Sequence, residues 1–272
     1  MEDLYNNFLD WLNLAARWIH VFAGIMWVGQ TYFFTWLDGR FSEMTDAASA
    51  KAADDHIWMV HSGGFYLVGK QKKPEFLPRT LHWFRWEAAI TWMSGVVLLF
   101  LVYYNGGLML NENMEETIPM IAGIAAIIVP WHIYDALWKS KLARNETLCG
   151  GISYALLVGL IIALTHLMEG RAAYMHVGVM LGTLMTANVW LRILPAQRKM
   201  VAALKEGREP DTTLAARAKM RSKHNTFMAV PVVFIMISNH YPVTSYGDSW
   251  NWVILSGLIL VGLGAAKIIR RA

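Results

Sequence analysis

Four histidines carry the first chemical signal in this sequence, because they lie inside or at the rim of long apolar segments: His20, His166, His176 and His240. An imidazole placed in the hydrocarbon region of a bilayer is costly unless something binds it. Haem iron is the leading candidate, since two neutral imidazoles can hold a b-type haem. These histidines therefore predict a haem site, provided that the helices bring them to a similar depth.

The composition indicates a membrane setting for these residues. Hydrophobic residues make up 56% of the chain and charged residues 16%, and there are 13 tryptophans, which is far from the average of soluble proteins. Seven apolar stretches approach the roughly 20 residues that a membrane helix needs, and none alternates like a barrel strand. We predict one all-α domain over residues 1–272, a polytopic bundle with spans near 12–37, 87–104, 118–138, 149–168, 172–194, 225–241 and 251–269.

The basic residues predict how the bundle is oriented. All Lys and Arg residues except Arg17 and Arg171 lie in four segments, which are 38–86, 139–148, 192–224 and 267–272. The positive-inside rule makes these segments cytoplasmic, with the N-terminus outside and the C-terminus inside. Because the positions of the basic residues are explained by membrane topology, nucleic-acid binding is excluded as a function. The single Cys149 excludes an intrachain disulfide and a C-x-x-C-H attachment of c-type haem.

All four histidines fall in the outer half of the predicted bundle, and three of them come from three different helices that could grip a cofactor. His20, His176 and His240 are therefore the candidate iron ligands of a haem b, while the fourth is interpreted as an interfacial residue. Gly24 follows His20 by one helical turn and Gly178 follows His176 closely, so a flat macrocycle could approach both backbones. Plain helix packing through small residues explains these glycines equally well.

A second group of polar residues lies toward the predicted cytoplasmic face. It contains residues 61–64, His82, Arg85 and the pair at 224–225. An interfacial belt explains the neighbouring tryptophans, whereas the glycines in 61–64 suggest that the backbone approaches something closely. The loop 38–86 is long for a linker, so we expect it to fold back onto the bundle as a surface helix or a lid. His132 and Asp135 are interpreted as a local hydrogen bond or a headgroup contact.

Several blocks of the sequence carry a resemblance: residues 11–21, 27–29, 36–38, 59–66, 81–88, 170–178 and 221–242. They resemble the membrane domain of the bacterial membrane-bound urate oxidase family, the cytochrome-c-linked urate hydroxylases. The resemblance covers most of the chain, and these blocks include the candidate iron ligands and the inner histidines named above. The third and fourth predicted spans match only loosely.

The resemblance implies oxidation of urate to 5-hydroxyisourate, with water as the oxygen source and electrons passing to a cytochrome c. In that view the inner histidines bind urate or move its protons, and an arginine counters the urate anion. The expected catalytic residues are His61, His82 and His224, and the expected substrate contacts are Ser62, Arg79, Arg85 and Asn225. An open alternative gives some of the inner histidines a second haem.

The resemblance also sets expectations about partners and location. Full-length family members look like this domain followed by one more span and a periplasmic cytochrome c, whose C-x-x-C-H motif this sequence does not contain. We therefore expect a separate electron acceptor, a cytochrome c or another carrier, and a multi-pass protein of the bacterial inner membrane. The alternative function is a non-catalytic b-type cytochrome that relays electrons.

Overall fold

The computed structural model describes residues 2–47, 56–71, 80–109, 117–242 and 249–270. Its helices are α1 Glu2–Ala47, α2 Trp86–Leu99, α3 Thr117–Lys139, α4 Glu146–Leu167, α5 Gly170–Ala187, α6 Leu194–Lys205, α7 Thr212–Ser238 and α8 Asn251–Ile269. Helix α2 ends in the π-helical turn Phe100–Tyr104, and Asn188–Ile193 forms a second such turn that joins α5 to α6. The predominantly helical prediction is confirmed.

Five helical segments within the described residues are long and apolar enough to cross a membrane: Trp86–Tyr104, Thr117–Lys139, Glu146–Leu167, Gly170–Lys205 and Asn251–Ile269. A helix satisfies its backbone groups internally, as the bilayer requires. The chain is therefore a multi-pass membrane protein. The predicted span 12–37 lies within α1 and most of the span 225–241 lies within α7, and both helices carry more polar residues. The total of seven spans and the orientation stay predictions.

Helix α5 forms the centre of the bundle. It contacts α2, α3, α4 and α7, and most of its residues are buried. Small residues allow the helices to approach closely. A Cβ atom added to Gly178 would lie 2.9 Å from Cγ2 of Ile235, and one added to Gly262 would lie 3.0 Å from the ring of Pro231. Helix α7 is thus held tightly between α5 and α8.

A β-hairpin occupies the middle of the long first loop. Strands β1 His56–His61 and β2 Gly64–Gly69 are antiparallel, and residues 62 and 63 make the turn with φ angles of 50° and 77°. Two positive φ values are typical of a two-residue type I′ turn, which explains the glycine. A Cβ atom on Gly63 would meet nothing within 4 Å, so the expected close backbone approach is wrong there.

The hairpin also corrects two broader predictions. The strands are an addition to the all-α fold, and the expected surface helix is wrong for residues 56–69 because the chain reverses at the glycine turn. Trp58 and Phe65 are exposed on the hairpin, while Lys70 at its end pairs with Asp38 of α1. The hairpin is therefore linked to the bundle through its base.

Candidate functional site

A pocket of about 430 Å³ lies at one end of the bundle, the end predicted to be cytoplasmic. Its walls come from α1, residues 81–84, the turn after α5, α6 and α7. We call it the polar pocket. Its polar lining residues include Gln30, Asp38, His82, Gln197, Ser222 and Asn225, and its aromatic ones are Trp27, Phe34, Trp83 and Phe84.

The lining of the polar pocket suits a flat heterocyclic ligand. Amide side chains both donate and accept hydrogen bonds, so Gln30 and Gln197 match the mixed edge of such a ring. Aromatic side chains offer faces for stacking. The exposed imidazole of His82 packs edge-on against Phe84, with 4.5 Å between the ring centroids. An imidazole at the pocket wall supplies one nitrogen that donates and one that accepts a hydrogen bond.

Asn225 connects the polar pocket to a buried chain of hydrogen bonds. Its Nδ2 donates to the carbonyl oxygen of Met185 at 2.9 Å, and its Oδ1 accepts from Asn188 Nδ2 at 2.9 Å. Asn188 Nδ2 also donates to the Tyr134 hydroxyl at 3.0 Å. That hydroxyl lies 2.7 Å from Nδ1 of His224. Asn225 is thereby fixed in orientation, and the chain passes through the bundle to the opposite side of α7.

A cluster of charges lies behind this chain. The carboxylate of Asp135 accepts from Arg192 Nε at 2.7 Å and from Arg221 Nη2 at 3.0 Å, and Lys139 Nζ is 2.7 Å away. Three cations facing one carboxylate leave the cluster with a positive excess. Arg221 is buried and also donates to Oδ1 of Asn188 at 3.4 Å. This excess charge favours an anion in the neighbouring polar pocket.

A second cavity, the apolar groove, runs between α3 and α4 and has a volume of about 930 Å³. Its floor is formed by α5, α7 and α8. Side chains such as Ala125, Leu160 and Leu181 make its lining apolar over most of its length. Polar side chains lie at one end of the groove, where Tyr134 and His224 line it. The hydrogen-bond chain from Asn225 ends at this point.

The structure separates the residues that were predicted to bind substrate. Within the polar pocket it places His82 and Asn225, while His224 lines the apolar groove. His61 and Ser62 lie at the exposed tip of the hairpin, where Ser62 Oγ is 3.0 Å from Nδ1 of His61, and line neither cavity. The guanidinium of Arg85 lies over the rings of Trp86 and Trp190, at 5.5 and 5.8 Å. Arg79 lies outside the described residues.

His20, the first predicted iron ligand, packs from α1 onto α2. Its Nδ1 lies 2.8 Å from the carbonyl oxygen of Thr91, and the absence of a side chain at Gly95 leaves room for its ring. A carbonyl partner at Nδ1 places the proton on that nitrogen, so Nε2 is the free acceptor. Imidazoles that bind metals are commonly held in this way. Gly24, on the same helix, lies in ordinary contact with Thr91.

His176, the second predicted ligand, is completely buried in α5. Its Nδ1 lies 2.7 Å from the carbonyl oxygen of Ala172, and its Nε2 lies 3.1 Å from the hydroxyl of Tyr104. The imidazole thus has the same tautomer as His20. A Cβ atom on Gly123 would lie 2.7 Å from this Nε2, so the nitrogen faces a gap that only glycine leaves between α3 and α5.

The remaining predicted cofactor residues differ from these two. His240 is exposed in the turn that follows α7, and its backbone N–H donates to Ile237. At Gly178 the space above the backbone is filled by Ile235 and Met236, as the helix-packing interpretation expects. Neither cavity is lined by a predicted iron ligand. Among the residues that the structure describes, no three or more His, Cys, Asp or Glu side chains gather into a metal site.

Sequence reasoning missed several residues that shape these cavities. Gln30 and Asn188 lie within apolar stretches, where an uncharged polar side chain is a signal of function or of interhelical hydrogen bonding. Tyr134, Gln197 and Arg221 gave no such signal, because tyrosine, glutamine and arginine are ordinary residues near a membrane surface. The partners of Tyr134 and Arg221 are 90 and 33 residues away along the chain, so spacing does not reveal them.

One comparison with known families gives a result. The family described as "Urate oxidase N-terminal" matches residues 6–270, which is nearly the whole chain. No curated protein and no solved structure matches it. The match therefore covers both cavities and every predicted site residue.

Proposed function

Since the chain belongs to the urate oxidase N-terminal family, we propose that it oxidises urate to 5-hydroxyisourate and that the polar pocket holds the substrate. The observation that carries this proposal is the pocket's combination of amide side chains, aromatic faces and a positive cluster behind its wall. Urate is a flat bicyclic ring whose edge alternates N–H and C=O groups, and it is an anion at neutral pH. Each of these features has a counterpart in the pocket.

The residues of the polar pocket divide between binding and proton transfer. Gln30, Gln197 and Asn225 hydrogen-bond the edge of urate, and Trp83 stacks on its face. His82 is the general base that takes a proton as the oxygen atom of water is added. His61 and Ser62 line neither cavity, so the proposal gives them no contact with the substrate.

The reaction must remove electrons as well as protons. Urate and one water become 5-hydroxyisourate, and two electrons and two protons are released. A bound haem b would carry electrons one at a time between a two-electron donor and an acceptor. His20 and His176 are the ligands supported best, because each holds its Nδ1 against a backbone carbonyl. The hydroxyl of Tyr104 has to move aside before Nε2 of His176 can bind iron, and His240 is the third candidate.

The finer parts of the proposal rest on the resemblance to the cytochrome-c-linked urate hydroxylases. In that form the protein lies in the inner membrane of a bacterium, with the polar pocket open to the cytoplasm and the N-terminus outside. A separate cytochrome c takes the electrons. Lipid surrounds the bundle on the apolar faces of its helices.

The test is anaerobic turnover by the purified full chain in detergent, with ferricyanide as electron acceptor and 5-hydroxyisourate measured as product. Wild-type protein is expected to form product, and His82→Ala should lower kcat by about 100-fold or more because a general base is lost. His166→Ala is the matched control, since His166 is exposed at the far end of α4. Failure of the wild-type protein to form product would contradict the proposal.

The second candidate function, an electron relay by a b-type cytochrome, is favoured by the position of His20 and His176 away from both cavities. It predicts a Soret band that a quinol reduces and urate does not. Reduction of the band by urate would exclude a pure relay. A purified protein without a Soret band would overturn the haem in both functions and leave the urate pocket to be tested by binding.

A further inference from the structure

The shape of the apolar groove fits a long apolar chain. On α3 its lining runs from Ala122 to Trp138, which is about 24 Å at the rise of an α-helix. Val129 and Ile133, which also line it, are about half exposed at 48% each, so the groove opens sideways where lipid surrounds the helices. A ligand dissolved in the bilayer can therefore enter without crossing water.

The polar end of the groove presents a hydrogen-bond donor beside aromatic rings. The hydroxyl oxygen of Tyr134 accepts from Asn188, so its own proton is available for Nδ1 of His224. His224 then carries its proton on Nε2, the nitrogen left for a ligand in the groove. The ring of Trp138 lies 4.1 Å from the His224 ring, and Tyr154 lines the same region. This end suits a flat head group that accepts a hydrogen bond.

The charges at this end favour a neutral head group. Lys223 Nζ donates to Glu146 Oε2 at 2.6 Å, so the two charges that line the end of the groove cancel. Lys267 at the rim is a single further cation. Anionic headgroups are usually recognised by clusters of Lys and Arg, whereas the described residues that line the groove include only two cations, Lys223 and Lys267. Charge and shape together point to a neutral, flat carbonyl compound with an apolar tail.

The hydrogen-bond chain connects this end of the groove to the urate pocket. From Asn225, which lines the polar pocket, it runs through Asn188 and Tyr134 to His224 in three steps of 2.9, 3.0 and 2.7 Å. We propose that the apolar groove binds an isoprenoid quinone, and that this quinone takes the electrons removed from urate. The head group's carbonyl oxygen accepts the hydrogen bond from Nε2 of His224.

The redox step balances with the quinone as co-reactant. Urate, water and quinone give 5-hydroxyisourate and quinol: urate loses two electrons and two protons, and the quinone gains two of each. One proton reaches the quinone oxygen from Nε2 of His224, while Nδ1 of His224 takes the proton of Tyr134. The tyrosinate left beside Arg221 regains a proton from water, and the two protons lost by urate are released to water at the polar pocket. The second proton of the quinol comes from water at the rim near Lys267. This inference rests on the proposed function and changes one part of it, since a cytochrome c would be reduced after the quinone rather than directly by the protein.

The binding test uses the full chain in detergent, titrated with decylubiquinone and followed by quenching of tryptophan fluorescence, since Trp138 borders the site. Wild-type protein should bind the quinone saturably. His224→Leu should weaken binding at least tenfold, and Ala125→Phe, which fills the groove, should abolish it. Ile128→Phe is the matched control, because Ile128 lies on the same helix, is exposed and does not line the groove. Binding that is equal in Ala125→Phe and Ile128→Phe would overturn the site.

Two further measurements distinguish the alternatives. Dioleoyl phosphatidylglycerol in excess should leave the affinity for decylubiquinone within twofold, and displacement by this lipid would show that the groove is a lipid site only. Under anaerobic conditions, urate should reduce one decylubiquinone per molecule consumed. Protein that forms 5-hydroxyisourate with ferricyanide but not with decylubiquinone would overturn the quinone as acceptor. Protein that binds decylubiquinone but neither binds nor oxidises urate would show that the proposed function had failed while the quinone site stood.

Discussion

The polar pocket and the polar end of the apolar groove lie at the same end of the bundle, yet the linings of the two cavities have opposite character. The polar pocket is built from amides, an imidazole and aromatic rings, whereas the groove is apolar except at one end. Helix α7 contributes to both, with Asn225 facing one cavity and His224 facing the other. Adjacent residues of a helix point about 100° apart, so a single helix can serve two cavities with different ligands.

The wall between the two cavities is the most polar part of the core. It contains the hydrogen-bond chain from Asn225 to His224 and the cluster around Asp135. Buried polar groups are costly unless they are fully paired, and here each described member has a partner. The two cavities are joined by a shared network, so cutting that network should slow transfer between them more than it weakens the binding of either ligand.

The largest effect is expected when the charge at the centre of this wall is removed. Asp135→Asn leaves Arg192, Arg221 and Lys139 close together without a counter-ion, which should lower the free energy of unfolding by about 3–5 kcal/mol. Chemical denaturation in detergent, followed by circular dichroism, measures the loss. Glu206→Gln removes an exposed carboxylate paired with Arg208 and should cost less than about 1 kcal/mol. Equal losses in the two variants would contradict a structural role for the cluster.

A smaller effect is expected from cutting the chain between the cavities. Tyr134→Phe leaves His224 Nδ1 and Asn188 without their hydroxyl partner, which should cost about 2 kcal/mol of unfolding free energy. Tyr134→Phe should also slow urate-dependent reduction of decylubiquinone at least tenfold, which stopped-flow absorbance measures. The affinities for urate and for decylubiquinone should stay within threefold of wild type. Tyr174→Phe is the control, since the Tyr174 hydroxyl donates to the carbonyl oxygen of Asn251 and Tyr174 lines neither cavity. An unchanged rate in Tyr134→Phe would show that the hydrogen-bond chain does not couple the two cavities.

The polar pocket alone should respond to the loss of an amide. Gln197→Leu removes one or two hydrogen bonds to urate, so the Kd should rise about tenfold, which corresponds to about 1.4 kcal/mol. Isothermal titration calorimetry measures the change. Gln71→Leu replaces an exposed glutamine at the base of the hairpin and should leave the Kd within twofold. A larger loss in Gln71→Leu than in Gln197→Leu would place urate elsewhere.

The smallest effect is expected at the back of the groove. Gly262→Ala brings a Cβ atom to 3.0 Å from Pro231, which lines the groove, so α8 must shift slightly and stability should fall by about 1 kcal/mol. Quinone affinity should fall a few-fold and urate affinity should not change. Gly257→Ala on the same helix meets nothing within 4 Å and should be neutral or slightly stabilising. A change in urate affinity in Gly262→Ala would show that the two cavities are not mechanically separate.

Much of the helical fold followed from the apolar stretches, because bilayer thickness and backbone hydrogen bonding allow few alternatives. The β-hairpin could not be predicted from the apolar stretches, although Gly63 and Gly64 follow a short apolar run. Its glycines were interpreted as a close backbone approach, and only the pairing of His61 with Gly64 shows that they make a turn.

The candidate site was predicted only in part, for a physical reason. His82 and Asn225 lie in blocks that resemble the family, so they were expected to contact the substrate, whereas Gln30 and Gln197 lie outside those blocks and were not predicted. The sequence suggested a local contact between Asp135 and His132, which lies one turn away on the same helix. In the structure Asp135 forms salt bridges with Arg192 and Arg221 from distant segments. Spacing along one helix reveals local pairs, whereas partners on other helices depend on how the bundle packs.

The central claim is that urate binds in the polar pocket and not in the apolar groove. The most direct measurement is the Kd for urate in two variants that each fill one cavity, Ser222→Phe in the polar pocket and Ala125→Phe in the groove. Ser222→Phe should abolish urate binding, and Ala125→Phe should leave the Kd for urate within twofold of wild type. Loss of urate binding in Ala125→Phe, with binding retained in Ser222→Phe, would contradict the central claim.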